Sequence, residues 1–253
     1  ALDAARHALW RAPGRTFRMP EPLGAGRAAD GGAGEHVRWE RFVEGERLEA
    51  AAARHGWAPV LRAAVAAVAD LHRRTLPGLA LQDEAAVLAR LEGKVLRRIR
   101  TALPGCVPEC ERLVAALQAR LPRDPAPRAT LHGDLHTGNL LCTDDGRVAF
   151  IDLDNLVLGS PAYDLALLAS RLMLLGLLDP AAAPPRELAV EALPRWYVEA
   201  GGDPRVLDEY RWHLALLLVS RQVKTCIRHH APGLASLGRA LFALAHAVLD
   251  EAP

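Results

Sequence analysis

Lysine is the residue this chain nearly does without: of 31 lysine and arginine residues only Lys94 and Lys224 are lysine. Any chemistry that needs a lysine must use one of these two positions. The four cysteines, Cys106, Cys110, Cys142 and Cys226, are too few and too irregularly spaced for a disulfide framework. The Cys106/Cys110 pair has no neighbouring histidine to complete a zinc site. A reducing, cytoplasmic setting is therefore the expectation. A net charge of +1 argues against a dedicated nucleic-acid binder, which carries a large basic excess. No uncharged run reaches membrane-spanning length, because the most apolar stretch, Leu165–Leu178, contains Arg171. No signal peptide is visible, and no Gly-Lys-Ser/Thr occurs, which excludes a Walker A loop.

What is present is an ordinary globular composition, 253 residues with 51% apolar and 24% charged. That is enough for one large domain or two small ones. Residues 1–11 read as helix, broken at Pro13-Gly14. Thr16–Leu23 is at best an irregular edge strand, Gly24–Gly34 a loop, and His36–Val43 a strand followed by the turn Glu44-Gly45-Glu46. Val60–Arg74 carries apolar residues at spacings of three and four and predicts an amphipathic helix. Further helices are predicted over Asp83–Leu103 and Glu109–Leu121. After the Pro122–Pro127 linker comes a non-helical block, 129–159, with a hairpin of Leu140–Cys142 and Arg147–Ile151 about Asp144-Asp145-Gly146. Helices over Tyr163–Leu178, Pro185–Ala200, Pro204–His230 and Leu234–Leu249 complete the chain.

The hairpin block concentrates the chemistry. It reads His132-Gly133-Asp134-Leu135-His136-Thr137-Gly138-Asn139, then Ile151-Asp152-Leu153-Asp154. The Asp134–Asn139 separation equals that of the kinase catalytic-loop pattern H-R-D-x-x-x-x-N, with Gly133 where Arg usually stands. Asp152 ends an apolar strand, as the Asp of D-F-G does. Phosphoryl transfer needs a carboxylate to orient an attacking hydroxyl and hard oxygen ligands for Mg²⁺ on the nucleotide phosphates. Asp134 is placed for the first task, and Asn139 and Asp152, at the two ends of one hairpin, for the second.

In these motifs the chain resembles the aminoglycoside phosphotransferase and choline kinase group, small-molecule relatives of protein kinases. Val43-Glu44-Gly45-Glu46-Arg47-Leu48 is similar to the segment after that family's hinge, and Val68-Ala69-Asp70-Leu71-His72 to its helix ending in Leu-His. Pro161-Ala162-Tyr163-Asp164-Leu165-Ala166 is similar to the segment whose Asp braces the catalytic loop. The resemblance covers about residues 37 to 180. It implies a protein-kinase-like α+β fold, with 1–46 a remnant of the N-lobe including the hinge strand and 47–253 a helical C-lobe carrying the catalytic hairpin. It also implies ATP and Mg²⁺, a small-molecule hydroxyl acceptor, Asp134 as catalytic base, Asn139 and Asp152 as metal ligands, and the backbone of Arg41, Phe42 and Val43 facing the adenine. Asp164 becomes structural, and His136, Asp154, Arg221 and Lys224 become candidates for substrate contact or loop support.

The family's glycine-rich strand pair and strand lysine have no counterpart: Lys94 and Lys224 both lie in helical runs. Gly24-Ala25-Gly26-Arg27-Ala28-Ala29 fits G-x-G-x-x-A, but no apolar helix follows it, so it reads as a loop. These residues alone predict weak nucleotide binding, and the absent Met at position 1 raises the expectation that part of the phosphate clamp lies upstream. Two other functions stand beside the kinase. One is a catalytically impaired binding module. The other is a hydrolase holding metals on His132, His136, Asp134 and Asp152, although Gly133 and Gly138 argue for a loop where paired histidine ligands would need a helix.

Blander roles are also open. His132 reads as a loop residue bonded to backbone, Asp154 as a cap or a contact to metal or substrate, and His229-His230 as a helix-end pair. Arg221, Lys224 and Arg228 form a basic stripe that is either a solvated face or a contact for an anionic substrate. Trp39, Trp57, Trp196 and Trp212 read as packing anchors. The expected acceptor is a sugar, an aminoglycoside-like molecule or another metabolite, with the stripe leaning toward a sugar, phosphosugar or other neutral-to-anionic metabolite.

Overall fold

The computed structural model describes residues 2–12, 14–27, 36–123 and 125–251. Its amino-terminal segment alternates short elements: α1 (Leu2–Arg11), β1 (Phe17–Arg18), β2 (Pro22–Arg27), β3 (His36–Glu40) and β4 (Glu46–Arg47). Helices then take over as α2 (Leu48–His55), α3 (Trp57–His72), α4 (Glu84–Arg90), α5 (Leu96–Ala102) and α6 (Val107–Ala119). A β block follows, with β5 (Ala129–Leu131), β6 (Leu140–Cys142), β7 (Val148–Phe150) and β8 (Val157–Gly159). The chain ends in α7 (Pro161–Leu178), α8 (Leu193–Glu199), α9 (Val206–Leu217), α10 (Lys224–Arg228) and α11 (Leu234–Asp250). Pro13 of the expected break, residues 28–34 of the expected glycine loop and Asp124 of the linker lie outside the described residues.

Local chemistry accounts for several boundaries. Asp83 caps α4 by accepting from the Ala86 N–H at 2.6 Å, and Ser160 caps α7 through the Ala162 N–H with Pro161 in the first turn. The β6–β7 hairpin turns through Asp144, Asp145 and Gly146, where Gly146 supplies a φ of +77°. The helix expected over Asp83–Leu103 is one run interrupted by a π-helical turn at Leu91–Val95. That expected over Pro204–His230 has another at Leu218–Val223.

Four strands form one sheet in the order β1-β7-β6-β4, with β1 parallel to β7 and the other pairs antiparallel. The amino-terminal strands β1 and β4 thus flank the β6–β7 hairpin on both edges, and Glu46 and Arg47, on either side of the expected division, belong to one strand. Strands β5 and β8 pair antiparallel, and β5 leads into the loop that precedes β6.

Three sequence expectations need correction here. Gly24–Arg27 is not loop: it is strand β2, paired with β3 from Pro22 to Arg27. Glycine's low strand propensity hides it in the sequence, and inter-strand pairing overrides that. Trp39 is not a packing anchor, being 52% exposed; it lies over Gly26, where an added Cβ would meet the indole at 2.9 Å. Helix α2, which begins without a side-chain cap, has no start signal in the sequence and is an addition to the expected elements.

The core sits among α7, α9 and α11, with Leu165, Leu168, Leu214, Leu217, Leu241 and Val248 fully buried. Among the described residues α7 is the one helix long and apolar enough to cross a membrane, but 72% of it is buried within the protein. Its apolarity is that of a core helix.

Candidate active site

Asp164 organises the loop between β5 and β6. It enters from the first turn of α7, is fully buried, and accepts from the main-chain N–H groups of His132 at 2.7 Å and Gly133 at 3.0 Å. His72, the last residue of α3, meets Oδ2, the oxygen that also accepts from His132, at 3.2 Å through Nε2, while Nδ1 faces the Tyr197 hydroxyl at 3.1 Å. The Asp164 carboxylate only accepts, so the imidazole proton sits on Nε2 and donates to it, and Nδ1 accepts from the Tyr197 hydroxyl, whose pKa burial raises. Three helices, α3, α7 and α8, thus hold one turn of loop.

Gly133 allows that turn. Its φ is +78°, and an added Cβ would lie 2.1 Å from the Asn155 carbonyl oxygen. Any side chain here is strained twice, which explains glycine at the position where the kinase pattern has arginine. His132 donates from Nε2 to the Ile151 carbonyl at 3.0 Å, tying the loop to the end of β7.

The loop then delivers Asp134, half-buried with its carboxylate 3.4 Å from the Arg221 guanidinium. Arg221 also donates to the Gly133 carbonyl at 3.2 Å and lies 3.4 Å from the Tyr163 hydroxyl. Burial works against the Arg221 cation, but Tyr163 and Asp134 outweigh it and raise its pKa further. Asn139 donates from Nδ2 to the Asp134 carbonyl at 3.0 Å, and its own main-chain carbonyl accepts from the Ile151 N–H at 3.1 Å. Asn139 and Asp152 are therefore brought to the same end of the hairpin.

Asp152 has the left-handed backbone conformation φ 58°, ψ 57°, an uncommon one for a residue with a side chain. It is exposed, and its carboxylate makes no hydrogen bond or ion pair among the described residues. Asp154 is instead engaged, by Arg6 at 2.6 Å and Arg38 at 2.7 Å. Those two arginines, Glu40, Asp152 and Asp154 line a cleft of about 460 Å³ on the side of α1 and β3.

His136 is half-buried, and its Nδ1 accepts from Gly138 N–H at 3.1 Å. Burial lowers its pKa, with Asp134 opposing and Arg171 assisting. With Asp134, Arg171, Arg221, Lys224 and Arg228 it lines a cleft of about 300 Å³ on the opposite side of the loop. The basic stripe is thus no simple solvated face: Arg221 and Lys224 reach the site. Histidine ligands do not converge on Asp134 and Asp152. Among the described residues the one cluster of three metal-type ligand atoms is Glu84, Glu209 and His213. There the Arg128 guanidinium already grips Glu84 at 2.6 and 2.9 Å.

Arg41, Phe42 and Val43 link β3 to β4. The Arg41 N–H donates to the Glu21 carbonyl at 2.9 Å, whereas the main-chain groups of Phe42 and Val43 have no main-chain partner among the described residues. Phe42 is 86% exposed. Sequence reasoning misses Tyr197 and Tyr163 as loop supports, because they reach the loop from separate helices and carry no local signal. It marks Lys94 only as out of place, yet both lysines line one cleft beside Gly133.

Comparison with known proteins bears on the family and the fold. A model of the phosphotransferase enzyme family matches residues 2–210. Among solved structures, a choline/ethanolamine kinase family protein from Mesorhizobium loti is 21% identical with a TM-score of 0.65, covering 98% of this chain and 78% of that one. An aminoglycoside phosphotransferase solved with GDP and kanamycin is 16% identical with a TM-score of 0.66, covering 97% of this chain and 81% of that one. A thermostable aminoglycoside phosphotransferase mutant solved with ADP and hygromycin B is 15% identical with a TM-score of 0.65, covering 98% and 83%. The TM-scores show a shared protein-kinase-like α+β fold. Among curated proteins none matches closely enough to count as a relative.

Proposed function

The chain belongs to the phosphotransferase enzyme family, and we propose that it transfers the γ-phosphoryl group of ATP to a hydroxyl of a small molecule in the cytoplasm. The observation that carries this reading is the hydrogen-bonded connection of Asp134, Asn139 and Ile151-Asp152 on a loop that Asp164 holds rigid. Asp134 orients the acceptor hydroxyl and takes its proton as the oxygen attacks phosphorus and ADP leaves. Arg221, beside Asp134, keeps the carboxylate aimed.

Asn139 and Asp152 fit Mg²⁺ by their donor chemistry. With Nδ2 committed to Asp134, Asn139 keeps its side-chain oxygen, and the Asp152 carboxylate is unpaired among the described residues. Bound there, the ion would neutralise charge on the phosphates. Phe42 and Val43, with free main-chain groups, would meet the adenine. In this reading residues 1–46 belong to the nucleotide side and 47–253 to the helical body.

A second reading, a module that binds its ligand without turnover, is favoured by one observation. Both lysines line the other cleft, leaving the phosphate side with Arg6 and Arg38, each tied to carboxylates. Release of ADP from ATP, followed with and without Mg²⁺ over a panel of hydroxyl compounds, decides between them. Mg²⁺-dependent, acceptor-stimulated ADP release is expected; none with any acceptor would favour the binding module.

A further inference from the structure

The larger cleft beside Gly133, about 550 Å³, is lined by Arg90, Lys94 and Arg98 on one wall and by Arg221 and Lys224 on the other. Among the described residues no aspartate or glutamate lines it. Its size is that of a small-metabolite site. Arg90, Lys94 and Arg98 recur at spacings of four along one helical run, an arrangement of like charges that costs stability unless something opposes it. Nothing in the described chain does: none of these three, nor Lys224, has a carboxylate within ion-pair distance, although Arg100 on the same run pairs with Glu111 at 3.1 Å.

The backbone is also shaped for this cleft. Lys94 lies in the π-helical turn Leu91–Val95 and Arg221 in the turn Leu218–Val223, and the two turns touch. Such turns widen a helix locally and recur at functional sites. Burial lowers the Lys224 pKa, and Arg221, Arg98 and Arg228 lower it further against the opposing pull of Asp134, a sign that cations outnumber anions here. Arg221 and Lys224 line both this cleft and the one holding Asp134 and His136, so a ligand seated here reaches the catalytic carboxylate.

We propose that the acceptor is a phosphate monoester of a hydroxyl-bearing small molecule, its phosphate seated on Lys94, Arg98 and Lys224 and its free hydroxyl presented to Asp134. The product then carries a second phosphate ester: the hydroxyl oxygen bonds to the γ-phosphorus, ADP departs, and the proton passes to Asp134. This rests on the phosphotransferase reading for turnover but not for binding. A polycationic acceptor would be repelled by the same five cations.

The test is binding without nucleotide, by titration calorimetry and thermal shift at fixed ionic strength. Glucose 6-phosphate, ribose 5-phosphate and glycerol 3-phosphate are each compared with the unphosphorylated parent, with kanamycin and heparin alongside. At least one ester is expected to bind roughly tenfold or more tighter than its parent, and to lose about tenfold in the Lys94→Ala/Arg98→Ala double variant. Both residues are exposed on a helix, so the variant keeps its fold. The proposal is overturned if no ester exceeds its parent, if kanamycin or heparin binds more tightly than every ester, or if the double variant binds as the unaltered protein does. Ester binding without ADP release in the presence of MgATP would retire the phosphotransferase reading and leave the binding site standing. ADP release with a neutral or cationic acceptor and no ester binding would do the reverse.

Discussion

Asn139 donates through Nδ2 to the main-chain carbonyl of Asp134 at 3.0 Å, so the side-chain oxygen left over is positioned by the residue it works beside. Asn139→Ala removes both. Loss of the bond leaves a carbonyl poorly satisfied, a cost of about 1–2 kcal/mol in unfolding free energy. Turnover should fall much further, by roughly a hundredfold. Urea denaturation beside steady-state rates checks the split, and a rate loss no larger than the stability loss would contradict it.

Asp164 is expected to matter for stability as well as rate. Asp164→Ala orphans the N–H groups of His132 and Gly133 and leaves His72 Nε2 unpaired in the core. The cost should be about 3 kcal/mol or more. His72→Ala should cost less, because the two main-chain bonds survive. Chemical unfolding of the two variants gives the order directly.

Gly133 and Gly146 have nearly the same φ, +78° and +77°, but different surroundings. An added Cβ at Gly146 meets nothing within 4 Å, whereas at Gly133 it strikes the Asn155 carbonyl. Gly146→Ala should cost about 1 kcal/mol from backbone conformation alone. Gly133→Ala should cost about 3 kcal/mol or more and abolish turnover, since the loop must shift. Equal destabilisation would show that the close approach is unimportant.

Acid should destabilise the protein through Asp70 and Glu84. Burial alone would raise both, but hydrogen bonds from Thr16, Arg74 and Arg15 to Asp70, and from Arg128 to Glu84, hold each below its ordinary value of 3.8 or 4.5. A carboxylate with a depressed folded-state pKa stabilises the fold above its unfolded pKa. That contribution is lost as pH falls through the folded value. Stability should be flat above about pH 5.5 and decline below about pH 4.5, and Asp70→Asn should shallow the decline. A melting temperature unchanged between about pH 6 and about pH 3 would contradict this.

The candidate site is legible in the sequence because its residues are local: Asp134, Asn139 and Asp152 fall in and around one hairpin, at the spacing of the kinase pattern. Asp164 and His72 are legible only through the resemblance, since nothing within the chain's periodicity joins the end of α3 to the start of α7. Tyr197 is not legible at all. The three-residue strands β5 and β8 are too short for an alternating pattern. The π-helical turns escape a reading based on a period of 3.6, which is why Arg221 and Lys224 read as a stripe and not as part of two clefts. Strand β2 is hidden by its glycines, and is specified by a partner strand and by Trp39 lying across Gly26.

The most direct measurement is the rate of MgATP-dependent phosphoryl transfer in Asp134→Asn, taken with the acceptor that best stimulates ADP release. The substitution preserves shape and removes the carboxylate proposed to take the hydroxyl proton. The rate should fall by about 10³-fold, while the melting temperature and nucleotide affinity stay close to those of the unaltered protein. Undiminished transfer by Asp134→Asn would contradict the account.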